Sequence, residues 1–231
     1  MSHGETHFLL FTISQLRKNR LIFSRKSHII ILWGENMIKT TNMLLEELNG
    51  YASPKSKLSR MVDSGEYFPI VKGLYETNKS TPPYLLAGSI YGPSYISFDY
   101  ALSYYGLIPE AVYAVTSATY DKKKRKHYET SFGNFLYRDV PAEAFPLEIK
   151  LIKDGDYYYR IASPEKALCD KLYTLKPVKN VAELQTMLID DLRMDEDELK
   201  KMDLSKVRNL ASHYGSTNIK SLCTLLRRMQ Q

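Results

Sequence analysis

Three stretches of this 231-residue chain have residue types and spacing that could do chemistry. In Glu148-Ile149-Lys150 a carboxylate and a lysine lie two residues apart in an apolar run, so on a strand both side chains point to one face. Metal-dependent cleavage of phosphodiesters uses that geometry, with acids on Mg²⁺ and the lysine near the scissile phosphate. It needs a further upstream acid, for which Asp139 is the nearby candidate. A Glu and a Lys on an exposed strand more commonly serve as cross-strand partners. Ser163-Pro164-Glu165-Lys166 has the Ser-x-x-Lys spacing of an activated serine nucleophile, but Ser-Pro-acid is also how a helix begins. The third stretch, Lys55, Ser56, Lys57, Ser59 and Arg60, combines cations for phosphates with small polar groups that allow close approach, the dress of a recognition helix.

The elements that must position these residues follow from periodicity and turn chemistry. Leu44, Leu45 and Leu48 share a helical face from Thr40 onward, and Asn49-Gly50 closes that helix. Ser53-Pro54 starts a second helix, capped by the serine, with Leu58, Met61 and Val62 as its buried stripe and Gly65 at its end. Residues 67–71 and 74–76 read as strands around a Lys72-Gly73 turn, which places Lys72 at a hairpin tip. Helix, helix, hairpin is the order of a winged helix-turn-helix. Residues 78–83, Asn-Lys-Ser-Thr-Pro-Pro, form an extended linker to a larger domain.

In that larger domain, Gly92-Pro93 marks a turn and Ser97 is placed to cap a helix that carries Tyr100, Ala101, Tyr104 and Tyr105 and ends at Gly106. Strands are expected over 112–119, 135–140, 147–152 and 157–161, with Asp154-Gly155 as a hairpin turn. Lys122, Lys123, Lys124, Arg125 and Lys126 repel one another and read as a solvated hairpin loop. A helix follows Ser163 with Ala167, Leu168, Leu172 and Leu175 on its buried face. Helices over 181–192, from Asp195 with Glu198 as a capping box, over 204–213 and after Ser216 complete the chain.

Hydrophobic residues make up 44% of the chain, enough for a sizeable core, and the net charge of +6 favours a polyanionic partner. Cys169 and Cys223 fall on apolar helical faces and behave as small hydrophobes, which fits a reducing cytoplasm. His127 and His213 stand alone, and no metal or cofactor motif is present. The longest apolar runs fall short of the roughly 20 residues that a membrane span needs. Residues 1–36 lack a steady period. Trp33-Gly34-Glu35 requires guanine-rich codons resembling a ribosome-binding site just before Met37, so we expect translated upstream sequence there and a natural start at Met37, the alternative being a real extra helix.

Residues 90–97, Ile-Tyr-Gly-Pro-Ser-Tyr-Ile-Ser, followed by 101–110, Ala-Leu-Ser-Tyr-Tyr-Gly-Leu-Ile-Pro-Glu, resemble the signature of the AbiEi family, antitoxins of bacterial type IV toxin-antitoxin systems. Lys72-Gly73-Leu74-Tyr75 upstream and 161–170, Ile-Ala-Ser-Pro-Glu-Lys-Ala-Leu-Cys-Asp, downstream match in the same order. The resemblance implies an α+β protein: a small N-terminal winged helix-turn-helix over 37–80, then a larger mixed α/β domain over 83–231 with a helical C-terminal region. It implies binding to inverted repeats in promoter DNA, and antagonism of a neighbouring nucleotidyltransferase-like toxin, met directly or indirectly. No cofactor, metal, catalytic role or membrane is implied. The rival readings are a transcriptional regulator without antitoxin role and a Mg²⁺-dependent nuclease of the PD-(D/E)xK type.

Overall fold

A computed structural model describes residues 38–231, so the expectation for 1–36 lies outside the described residues. The chain opens with strand β1 (Lys39–Thr40) and helix α1 (Thr41–Glu47), where the Thr40 hydroxyl accepts from the Met43 amide at 3.3 Å. Pro54 takes the first position of α2 (Pro54–Asp63), where its missing donor costs nothing. Ser53 precedes it without capping it, because its hydroxyl pairs with that of Ser56 at 2.8 Å. Strands β2 (Phe68–Val71) and β3 (Leu74–Glu76) meet at the expected turn, where Gly73 has φ +85°, a region that penalises any side chain. β3 is flanked by β1 and β2, all antiparallel.

Leu44, Leu48 and Leu58 close a small core against Met61, Val62, Tyr67 and Tyr75. Ile70 of the same hairpin belongs to the main core instead. The Tyr157 hydroxyl donates to the buried Glu76 at 2.9 Å, and the other Glu76 oxygen accepts from the Thr77 and Asn78 amides. Residues 78–83 are folded where an extended linker was expected. The Asn78 side chain accepts from the Ser80 amide and its carbonyl from the Thr81 amide, and Pro83 opens α3 (Pro83–Ile90).

The larger sheet contains β4 (Tyr95–Ile96), β5 (Val115–Thr119), β6 (Lys126–Thr130), β7 (Gly133–Asp139), β8 (Ile149–Asp154) and β9 (Tyr157–Ala162) in the order β6-β7-β5-β4-β9-β8. β4 runs antiparallel to β5 and parallel to β9, and β5 is parallel to β7. Every residue of β5 is buried, as a central strand requires. The loop of cations does not close a hairpin: β7 lies between β5 and β6, so the loop crosses to the sheet edge. Two of its residues, Asp121 and Lys123, have left-handed backbone, and the Lys123 amide donates to Asp139 at 2.6 Å.

Helix α4 (Phe98–Tyr104) buries Phe98, Ala101 and Leu102, while Tyr104, expected inside, is half-exposed. Gly106 leaves it with φ +72°. After β9 the chain is helical: α5 (Pro164–Tyr173), α6 (Val181–Thr186) widening into a π-turn (Met187–Asp191), α7 (Glu196–Lys200), α8 (Leu204–Tyr214) and α9 (Thr217–Met229). Asp195 accepts from the Asp197 and Glu198 amides, but the capping box is one-sided. Its own amide donates to Leu107 and Glu198 pairs with Lys201. Among the described residues no helix is long and apolar enough to cross a membrane. The architecture is α+β.

Candidate functional site

Helix α2 anchors itself through Leu58, with Met61 and Val62 half-buried beside it. At about 100° per residue, Ser56 and Arg60 fall on the side opposite Leu58, Ser59 and Lys57 on its two flanks, and Lys55 about 60° from Leu58 at the rim of the buried stripe. Lys55, Ser56, Ser59 and Arg60 are exposed, as is Lys72 at the β2–β3 turn. Lys57 is half-buried, its Nζ 5.4 Å from the Tyr51 ring centre, and Arg60 folds back so that Nε donates to the Ser56 carbonyl at 3.3 Å. Asp63, which the sequence reading left out, is exposed on the same outer side. The face is therefore cationic but not uniformly so, and it presents two small hydroxyls between its charges.

The three residues of the nuclease reading are not brought together. Asp139 ends β7 and Glu148 precedes β8, with β5, β4 and β9 between those strands, so the two lie on the order of 19 Å apart at the usual strand spacing. Asp139 accepts from Thr119 Oγ1 and the Lys123 amide, both at 2.6 Å, whereas Glu148 pairs with Lys206 at 3.1 Å. Lys150 lies over the Tyr105 ring. Among the described residues no group of three or more His, Cys, Asp or Glu could hold a metal ion. Ser163 and the Lys166 amine are likewise apart in function: the serine oxygen accepts from the Lys166 backbone amide at 3.3 Å and caps α5.

The Lys166 side chain goes elsewhere, into a buried polar network that sequence reasoning missed. Its Nζ donates to the Ala144 carbonyl at 2.7 Å and to the Tyr214 hydroxyl, and lies 3.4 Å from Asp170 Oδ1. Tyr214 donates to that same Oδ1. Asp170 Oδ2 accepts from Ser97 at 2.6 Å and Tyr95 at 3.0 Å. Ser97 thus spends its hydroxyl on Asp170 and does not cap α4, contrary to expectation. Burial lowers the Lys166 pKa, with Asp170 opposing, while burial first and Asp170 second push the Tyr95 and Tyr214 hydroxyls well up.

A lysine and an aspartate with essentially no solvent exposure are tolerable only because each is paired and its remaining hydrogen-bond capacity is used. The network joins β4, the Ala144 turn, α5 and α8, and it is closed to solvent. The sequence carried no local signal for it: four of the ten residues of α5 are charged, and a lysine and an aspartate four residues apart have the form of an ordinary solvated pair. Cys169 beside it is fully buried and its thiol is pushed up by burial, the state of an inert cysteine. Four network residues, Tyr95, Ser97, Lys166 and Asp170, fall within the signature stretches quoted above. Against known proteins, no family model matches the chain and no curated protein matches it.

Proposed function

We propose that this chain is a DNA-binding antitoxin of the AbiEi type. In this reading β1 to β3 with α1 and α2 form a winged helix-turn-helix, α2 is its recognition helix and the β2–β3 turn with Lys72 is its wing. It binds inverted repeats in its own promoter and represses its operon. The larger domain counteracts a nucleotidyltransferase-like toxin encoded beside it. The observation that carries the reading is the exposed surface of α2, where Lys55, Ser56, Ser59 and Arg60 reach solvent on a helix anchored by Leu58. Cations and small hydroxyls so placed position a helix on phosphates and let it approach base edges. The tie between Tyr95, Ser97, Lys166 and Asp170 supports the resemblance, because two separate signature stretches acquire one physical reason to occur together.

Lys55→Ala with Arg60→Ala tests the DNA half, since neither side chain helps to fill the small core. Promoter affinity should fall, and the slope of log affinity against log salt should flatten by roughly 2, because about 0.9 counterion is released per phosphate contact. The same variant expressed with the toxin should still rescue growth. Unchanged affinity and slope would remove α2 from the interface, and a wild-type chain that never rescues would leave a regulator without antitoxin role.

A further inference from the structure

Arg160 of β9 stands between two cavities of about 270 Å³ each, which also share Ser94, Tyr95 and Leu151. They exist because β4 is two residues long. It fills one end of the space between β5 and β9 and leaves the rest to the Gly92-Pro93 turn. The polar groups of the walls fall into two sets. Tyr84 is engaged with Asp154 at 2.6 Å, Tyr159 with Tyr104 at 3.4 Å and Tyr95 with Asp170 at 3.0 Å, so these three offer ring surface, not donors. Ser94 and Ser117 are more than nine-tenths buried, and neither hydroxyl has a hydrogen-bond partner among the described residues. Buried polar groups rarely stay that way, so two in one cavity wall mark it as a place for a polar ligand. Arg160 is exposed and pairs with no acid among the described residues.

The strand register extends this site outward. Leu151 lies opposite Arg160 and Lys153 opposite Tyr158, so these four share one face of the β8–β9 hairpin. Tyr158 is 61% exposed and has the Lys153 amine 5.8 Å from its ring centre. A naked aromatic ring between two cations, beside a cavity that offers hydroxyls, suits a planar base joined to a phosphate. Neither α2 nor the network contributes charge to it.

We propose that the Arg160 face binds a nucleoside phosphate, its phosphate on Arg160, its base against Tyr158, and Ser94 and Ser117 hydrogen-bonding the part that enters the cavity. The ligand is either a free nucleotide or a nucleotide of an RNA single strand. The site is independent of the DNA reading and is tested apart from it. Full-length protein is titrated calorimetrically with each nucleoside monophosphate and with a single-stranded hexaadenylate RNA, using wild type, Arg160→Gln, Tyr158→Leu and the Lys55→Ala, Arg60→Ala variant.

At least one probe should bind wild type, and Arg160→Gln should weaken it by roughly tenfold, the scale of one charge-assisted hydrogen bond. Tyr158→Leu, a change at an exposed position, should weaken it as well, and the α2 variant should leave it unchanged. Binding of a monophosphate identifies a free nucleotide, and binding of the hexamer alone identifies a strand. Absence of binding by every probe, or affinity that survives both hairpin variants, overturns the proposal. So does loss of binding in the α2 variant.

Discussion

Helices α2 and α5 are both ten residues long, both start with Ser-Pro and both carry lysine in their first turn, yet they live in opposite environments. α2 buries Leu58 alone and leaves Lys55 and Arg60 to solvent. α5 buries seven residues, including Glu165, Lys166 and Asp170. Even the shared serine differs, since Ser163 caps its helix and Ser53 does not. What separates them is the surroundings: α2 has one neighbour face, the small apolar core, whereas α5 lies between α4, β9, α8 and α9. A lysine on α2, such as Lys55, keeps its charge in solvent. The lysine on α5 is a part of the interior, and its worth depends on its partners.

The contrast between the two helices is tested most severely at Asp170. Asp170→Ala leaves the buried Lys166 ammonium without its counter-charge and should cost about 3–5 kcal/mol of stability in urea unfolding. A loss under about 1 kcal/mol would mean that water reaches the network and that α5 is less different from α2 than described. Next come the serines that precede helices α4 and α2. Ser97→Ala removes a buried bond to a carboxylate and should cost about 1–3 kcal/mol, whereas Ser53→Ala should cost only a few tenths. Equal losses would put both serines back in the role of caps.

The mildest perturbation is pH. A hydrogen bond to Asp154 and burial raise Tyr84 to about 12, and burial raises Tyr105 and Tyr157 to about 12, with Tyr95 and Tyr214 also pushed up. Folding therefore holds protons that the unfolded chain releases near 10. Stability from these groups is complete below about pH 10 and is lost as pH rises toward 12. Lys166, lowered in the fold, acts in the opposite sense below its ordinary value of 10.5. Urea midpoints should decline progressively above pH 10, and a flat profile to pH 11 would deny that the tyrosines stay protonated inside.

Local chemistry was legible, and long-range pairing was not. Gly65, Gly73 and Gly106 end elements in left-handed backbone as their positions in the pattern required, and the β2–β3 and β8–β9 hairpins are where turn residues placed them. β4 was missed because two residues carry no period, and β6 because it begins inside the run of cations. The cationic loop was misjudged since nothing local reveals that β7 enters between β5 and β6. The same limit hid the network. Ser97 has the form of a cap in its own neighbourhood, and only the arrival of Asp170, 73 residues away, gives its hydroxyl a better partner.

Those separations also set an order of assembly on the ribosome. Asp170 is made 75 residues after Tyr95, and Tyr214 a further 44 residues on. At roughly 5–20 residues per second, Tyr95 waits about 6–24 s in the emerging chain before the last member of its network exists. The small three-leucine core has all its members, including the packed Tyr67 and Tyr75, in the chain 20 residues before Tyr95, whereas Ile70 of the same hairpin packs into the main core and waits with it. During that interval Lys166 emerges as an ordinary solvated lysine. Its burial, and with it the closure of the network, waits for α8, whose Tyr214 is made 48 residues later.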